Sequence, residues 1–550
     1  MTIVHLKHFR PATFVALLAV CGAAAAQQPQ VKERPIPQVV KKDGRYALMV
    51  DGAPYLMLGA QAHNSSGWPG MLPKVWPAIE YLHANTLEIP VYWEQIEARQ
   101  GQFDFSVVDT IVTQAREHHV RLDLLWFGTW KNGSQHYMPE WMKADPARYF
   151  HLIDKNGRPA DSPSPFCTAS QELDIRAFTA FMRHLKAFDT QRTVIIVQVE
   201  NESGTWGSVR DYSPAAQKLF DGLVPADVLK AVGKPDGAPA NWQEAFGPEA
   251  EVNFHAWAVA TYVGKVAAAG KAVYPLPLYA NAALRDPIKP GAPGSYEAGG
   301  PTDNVISIWK VAAPAIDIES PDIYMNDSVA YLKVLELYHR DDNPLFIPET
   351  SGSASVARFF FSALGLQAIG FSPFGLDYSN TPSVPAAAPA TAPAAAPGPQ
   401  DQFAPTAQNY RLIGPMMRDA ARLNFDGKLQ AVAEETGTPS QTLHFGAWNA
   451  TISYGGGRGG RAPAVNTAAP TGRALVAQLA ENQFLVAGYY CRVDFRPTAA
   501  DKRRQFMRVD EGTYENGVFK FIRILNGDET DNGLNLRAEP IALRVSLGVY

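Results

Sequence analysis

From about Tyr55 onward, short apolar runs alternate with stretches of helical periodicity. The runs are Leu56 to Ala60, Thr86 to Tyr92, Arg121 to Phe127, Thr193 to Val199, Leu276 to Ala280, Ile316 to Tyr324, Leu345 to Pro348 and Ala368 to Phe371. Amphipathic segments fill the intervals, among them Val107 to Glu117, Ile175 to Lys186, Asn253 to Ala268 and Ser355 to Leu364. Such alternation is the signature of a parallel sheet with crossover helices. Eight strands with intervening helices predict an α/β fold of the (β/α)8 barrel type rather than an open doubly wound sheet. No G-x-G-x-x-G follows any of these strands, which argues further against a nucleotide-binding sheet.

The stretch from Thr381 to Pro405, with Pro-Ala repeats from Pro385 to Pro397, has the composition of an interdomain linker. A closed barrel still needs an eighth helix, however, and Asn409 to Asn424 is the best source of one. The Pro-Ala segment (381–405) is therefore read as a long loop after strand eight, and the barrel as extending over 27–425. Over 426–550 the pattern turns to period-two runs split by Gly, Asn and Asp: Thr442 to Phe445, Ala474 to Leu479, Gln483 to Tyr490, Gly517 to Ile524 and Ile541 to Val549. These predict an antiparallel β-sandwich. Asp528 to Gly533 within it lacks the alternating ligands of a calcium loop and is read as a hairpin turn.

The chain has 550 residues, 46% of them hydrophobic, enough for a large core, and a formal charge of −5 that offers no basic field to a nucleic acid. Three cysteines, Cys21, Cys167 and Cys491, cannot build a disulfide framework or a zinc cluster. Residues 1–26 read as a signal peptide: Lys7 and Arg10 precede an apolar run from Phe14 to Val20, and Ala24 to Ala26 fits a small-x-small cleavage site. Cleavage there removes two cations and no anion, taking the charge from −5 to −7. The expected product is periplasmic or secreted, without a membrane segment; its oligomeric state is left open.

In a barrel the chemistry stands at the C-terminal ends of the strands, so polar residues directly after apolar runs are the informative ones. Thr193 to Val199 leads into Glu200, Asn201 and Glu202, and Pro344 to Pro348 leads into Glu349. Either acid alone could be a structural ion pair, since a buried carboxylate costs several kcal/mol unless paired or protonated. Two such acids, after strands four and seven, can face each other across the barrel mouth, as cleavage of a glycosidic bond requires.

The run Val197-Gln-Val-Glu-Asn-Glu202-Ser-Gly resembles the acid/base motif of the glycoside hydrolase family 35 β-galactosidases, and Glu349 resembles the nucleophile of their clan. Asn85 to Trp93 and Gly101 to Phe105 are similar to the family's second strand and following loop. Pro90 stands where a family tyrosine aligns, and Ile96-Glu97-Ala98 replaces the usual His-Glu-Pro. Family 42 shares the general layout. The resemblance implies a retaining exo-β-galactosidase that needs no cofactor or metal, with Glu202 as acid/base and Glu349 as nucleophile. It implies a tyrosine bonded to the nucleophile, here Tyr324. Asn201 has an amide able to bond the sugar 2-hydroxyl, a contact that strengthens in the transition state. Glu200 is expected on the same face as Glu202 but deeper, as a structural partner.

Sugar rings present apolar C–H faces, so a saccharide site should carry aromatic platforms. Tyr92, Trp93, Trp126 and Trp130, at the ends of strands two and three, are the expected sources, Trp93 and Trp126 foremost. Gln61, His63 and Asn64, after strand one, are candidate hydroxyl ligands. The expected partner is an oligosaccharide or a branched plant polysaccharide such as galactosylated xyloglucan.

Overall fold

The computed structural model describes residues 1–2, 34–234, 240–380, 399–454 and 470–550. All but two residues of the expected signal segment lie outside the described residues, as do most of the Pro-Ala loop and a glycine-rich stretch at 455–460.

Eight parallel strands close into a barrel in chain order, as expected. They are β1 (Met57–Gln61), β2 (Thr86–Tyr92), β3 (Arg121–Lys131), β4 (Val194–Asn201), β5 (Leu278–Ala283), β6 (Ile318–Ile323), β7 (Phe346–Thr350) and β8 (Gly370–Pro373). Alternation along each strand sorts its side chains. On β3, Leu125 and Phe127 belong to the cluster inside the barrel, while Leu122, Leu124 and Trp126 belong to the layer under the helices. The main helices after the strands are α1 (Leu72–Leu82), α2 (Ser106–Glu117), α3 (Thr168–Phe188), α4 (Ala250–Val273), α5 (Ile306–Ala312), α6 (Ser328–Tyr338), α7 (Phe359–Gly365) and α8 (Pro399–Ile413).

Two features were not read from the sequence. An antiparallel sheet of Gln38–Lys42, Arg45–Val50 and Ala53–Tyr55 precedes the barrel. Its Leu48, Val50 and Tyr55 pack with Met57, Ile195, Ile318 and Phe346, residues from the starts of barrel strands, and so close the end opposite the carboxylates. The second is the shape of the eighth helix. The loop ends earlier than read, because residues 399–405 are already helical, and the helix expected over Asn409 to Asn424 is broken by a 3-10 turn at Gly414–Met416 before resuming over Met417–Phe425. Pro415, which lacks a backbone N–H, sits at the start of that turn. The Tyr410 hydroxyl lies 2.8 and 2.7 Å from the carbonyl oxygens of Gly59 and Phe371, tying α8 to β1 and β8 where the barrel closes.

Two antiparallel sheets follow. The first contains β9 (Leu429–Ala433), β12 (Arg473–Ala480), β13 (Gln483–Tyr489), β15 (Arg504–Glu515), β16 (Val518–Ile524) and β18 (Ala542–Val549); the second contains β10 (Ser440–Phe445), β11 (Trp448–Ser453), β14 (Cys491–Pro497) and β17 (Leu534–Leu536). Their facing residues, among them Val476, Phe484 and Val545 against Trp448, Ile452 and Phe495, form one core. The other face of β12 and β13, with Leu475, Ala477 and Leu485, joins the core under the barrel helices, so both faces of these two strands are covered. That explains why β12 reads as a continuous apolar run. Asp528 to Gly533 is not a hairpin turn: it carries the chain from β16 in one sheet to β17 in the other. Residues Arg34–Tyr550 form one compact unit. Cys167 and Cys491 are both buried and unpaired.

Candidate active site

The site grows out of an irregularity between β3 and β4. Trp126 is opposite Val199, but Lys131 is opposite Asn201, so β3 spends five residues where β4 spends two. On β4 the backbone becomes left-handed at Glu200 (φ 62°) and again at Glu202 (φ 43°). Each costs roughly 1–2 kcal/mol for a non-glycine residue, a kind of strain that concentrates at functional sites. The first reversal corrects the expectation for Glu200. It does not lie beneath Glu202 but turns toward α3, where its Oε2 accepts a hydrogen bond of 2.7 Å from the Trp130 N–H. Beside it, Asp174 accepts from Trp126 Nε1 at 3.0 Å and Thr129 Oγ1 at 2.6 Å. Burial, then the neighbouring Asp174, holds the Glu200 carboxyl well above the ordinary range. Glu200 thus braces β3, β4 and α3 against one another.

Glu202, just past β4, meets Glu349 of β7 and Asp322 of β6 across the mouth: one carboxyl oxygen from each lies within 4.8 Å of the others. Their surroundings differ. Glu349 Oε1 accepts a hydrogen bond of 2.5 Å from the Tyr324 hydroxyl, and its Oε2 accepts one of 3.3 Å from Gln61 Nε2. Burial first, and then Glu349, keeps the Tyr324 hydroxyl protonated far above its usual range. Both contacts stabilise a carboxylate. For Glu202, burial first and the Glu349 charge second push the carboxyl up to about 7. One acid is therefore furnished as an anion and the other as a proton donor, the division of labour of paired-carboxylate catalysis. A raised acid is lost as pH rises through its pKa, so kcat/KM should fall above about pH 7. An initial-rate pH profile checks this, and a basic limb near 4.5, the ordinary value for a glutamate, would contradict it.

Asn201 is buried, its Oδ1 accepting from Lys131 Nζ at 2.7 Å, while its Nδ2 has no protein partner and remains a donor for a ligand. Gln61 likewise keeps a buried Oε1 without a partner. Glu202, Glu349, Asn201, Tyr324 and Gln61 are thus brought together. Asn64 is on the loop after β1, and its buried Oδ1 has no hydrogen-bond partner among the described residues. His63 serves the structure: its Nδ1 is 2.9 Å from Asp377 Oδ1, and its backbone N–H donates to Asp377 Oδ2 at 2.8 Å.

The four expected platforms are not at the surface. Tyr92, Trp93, Trp126 and Trp130 are each no more than 1% exposed. Alternation sends Trp126 outward onto Phe178 and Phe181 of α3, and the Trp93 indole donates to Glu97 Oε2 at 2.9 Å. Glu97 also accepts from the Gly101 N–H at 2.6 Å and pairs with Arg176, so this residue, the one of the three that keeps the family pattern, holds the loop after β2 together. The exposed indoles are Trp68, on the loop after β1 and stacked on Tyr92, and Trp206, four residues beyond Glu202.

Sequence reasoning also passed over Asp322, Asn281, Lys131 and Glu297. Asp322 precedes Tyr324 by two residues, the period that puts it on the same strand face, and that was the available signal. Glu297 has no comparable signal: it reaches the site from the loop after β5, and its buried carboxyl oxygen Oε1 would stand only 2.9 and 2.8 Å from a Cβ at Gly133 or Gly204. Among the described residues, Glu202, Asp322 and Glu349 are the one trio of metal-ligating type this close together; donors from Gln61, Asn281 and Tyr324 already serve Glu349 and Asp322.

Residues 78–270 match the glycoside hydrolase family 42 model, described as beta-galactosidase, and residues 406–537 match a domain of unknown function, DUF5597. Beta-galactosidase 14 of Arabidopsis thaliana is 24% identical over 194 residues, 34% of this chain and 20% of that protein. The chain thus spans about a fifth of the length of that curated relative. Among solved structures, a β-galactosidase from Bacillus circulans sp. alkalophilus aligns with a TM-score of 0.42 at 12% identity, over 58% of this chain and 50% of that one. The catalytic domain of a β-amylase from Paenibacillus polymyxa aligns at 0.41 and 13%, over 57% and 91%.

Proposed function

We propose that this chain, which carries a glycoside hydrolase barrel of the clan holding families 35 and 42, is an exported, retaining exo-β-galactosidase. The observation that carries the reading is the approach of Glu202 and Glu349 to within 4.8 Å, with only Glu349 receiving donors from Tyr324 and Gln61. Retaining enzymes hold their carboxyls about 5–5.5 Å apart and inverting ones about 6.5–9.5 Å, to admit a water. In the first step Glu349 attacks the anomeric carbon while Glu202 protonates the departing oxygen. In the second, Glu202 removes a proton from water, and the water attacks the anomeric carbon on the face the leaving group vacated, opposite Glu349, which departs as a carboxylate. Asn201 Nδ2 is the donor for the sugar 2-hydroxyl.

The pattern in residues 1–26 supports export, and Trp68 and Trp206 offer platforms for a substrate longer than one sugar, such as a galactosylated xyloglucan. A panel of nitrophenyl glycosides with the chain starting at Gln27, followed by proton NMR of the first-formed sugar, tests the reading. Hydrolysis of the β-galactoside with β-galactose appearing first, undiminished by a chelator, is expected. An α-anomer first would reject the mechanism, and preference for a β-glucoside or an arabinopyranoside would reassign the sugar. Xyloglucan oligosaccharides should turn over faster than lactose; equal rates would remove the polymer assignment.

A further inference from the structure

We infer that Asp322 is a positioning residue for Glu202: it keeps its own proton and lends it as a hydrogen bond whenever Glu202 is the carboxylate. This rests on the glycosidase reading of the same site. The geometry comes from Asn281 on β5, whose two amide atoms serve two partners. Its Oδ1 accepts from the Glu202 backbone N–H at 3.0 Å, and its Nδ2 donates to Asp322 Oδ2 at 2.7 Å. Asn281 therefore fixes Glu202 and Asp322 relative to each other, and it marks Asp322 Oδ2 as an acceptor. That leaves Oδ1, which is buried and makes no hydrogen bond among the described residues, to carry the acid's proton.

The charges facing this pair come from every side of the mouth: Glu349 from β7, Tyr324 past β6, Lys131 from β3 and Glu297 from the loop after β5. Three carboxyls within 4.8 Å cannot all ionise. Burial first, then Glu349 and Glu202, holds Asp322 well above the ordinary carboxylate range, so it is the neutral member.

The consequence lies in how one negative charge moves. In the resting site the charge is on Glu349. As the bond from Glu349 to the anomeric carbon forms and the bond to the leaving oxygen breaks, the Glu202 proton passes to that oxygen. Glu349 is then a neutral ester and the charge is on Glu202. When water attacks, its proton returns to Glu202, its oxygen bonds to the anomeric carbon, and the ester electron pair returns to Glu349. The trio carries one negative charge throughout, and Asp322 stabilises it in the half of the cycle in which Tyr324 and Gln61 no longer face an anion.

The test compares Asp322→Asn, which keeps a donor, with Asp322→Ala, which keeps none. On an aryl β-galactoside whose deglycosylation limits turnover, Asp322→Ala should lose kcat by about 30-fold or more, in line with a hydrogen bond to a charged group, and Asp322→Asn by several-fold. Because the Glu202 anion is less stabilised in Asp322→Asn, the basic limb of its kcat/KM profile should move to higher pH. A shift to lower pH would mean that an ionised Asp322 had been raising Glu202, and no shift would mean that the two do not interact; either overturns the proposal. So would equal losses in the two variants. Difference infrared spectroscopy of protein labelled with carboxyl-13C aspartate gives a readout without turnover. A protonated-carboxyl band at pH 7, missing from Asp322→Asn, is expected, and its absence from the unaltered protein would refute the assignment. Its presence in a protein with no glycosidase activity would uphold Asp322 as a neutral acid and discard the glycosidase reading instead.

Discussion

Glu349→Ala should lose at least about 10⁴-fold in kcat on an aryl β-galactoside, because no covalent glycosyl-enzyme can form without its carboxylate. The loss should be insensitive to the leaving group, since the missing step is bond formation at the anomeric carbon. The cavity vacated by the carboxylate lies beside Tyr324 and Gln61, donors already aimed at an anion there. Added azide should enter that space, attack from the same face and yield the α-galactosyl azide, with Glu202 still available to protonate the departing group. The stereochemistry of the azide product, read by NMR, checks the assignment. A β-azide would show that Glu202 is the nucleophile, and undiminished hydrolysis would place the site elsewhere.

Glu202→Ala should fail differently. A good leaving group such as dinitrophenolate departs without protonation, so the first step survives and only the second lacks its general base. The glycosyl-enzyme then accumulates: a burst of phenol is followed by a steady rate reduced by about 10²–10⁴-fold, with KM lowered in parallel. A substrate with an alkyl leaving group should be almost inert, because there the acid is needed in the first step. Azide needs no base, so it should restore turnover and give the β-azide. The basic limb near pH 7 should also disappear from the kcat/KM profile for the activated substrate. Survival of that limb would assign it to another group of the mouth, such as Asp322 or Glu297.

These roles could be assigned to residues because of a local rule. The eight barrel strands are buried by helices outside and by one another inside, so each shows as an apolar run whatever its neighbours are. Polar residues at the end of such a run, or within a few positions of it, are the candidates for the mouth. Glu202, Glu349, Asn201, Tyr324 and Gln61 all satisfy that rule, and they are the residues the fold draws together. The two-sheet domain was legible for a similar reason: period two marks a strand with one face covered.

What failed to show in the sequence depends on which way a side chain turns and on what arrives from far along the chain. Trp93 and Trp126 fall near the ends of apolar runs, as Glu202 and Glu349 do, yet alternation directs Trp126 into the helix layer and a hydrogen bond to Glu97 holds Trp93 inside. Glu200 obeys the alternation rule in sequence, but one left-handed residue reverses it. The exposed platforms Trp68 and Trp206 sit in loops, where no periodicity reports direction. Glu297 comes from a loop some ninety-five positions after Glu202, and nothing local signals the meeting. Chain sequence alone determined the barrel, the sandwich and the acids at the strand ends, because burial of whole strands writes a periodic pattern into neighbouring residues. Tertiary structure decided which aromatic rings meet solvent and which third acid stands beside Glu202, because those outcomes follow from single backbone angles and contacts between distant segments.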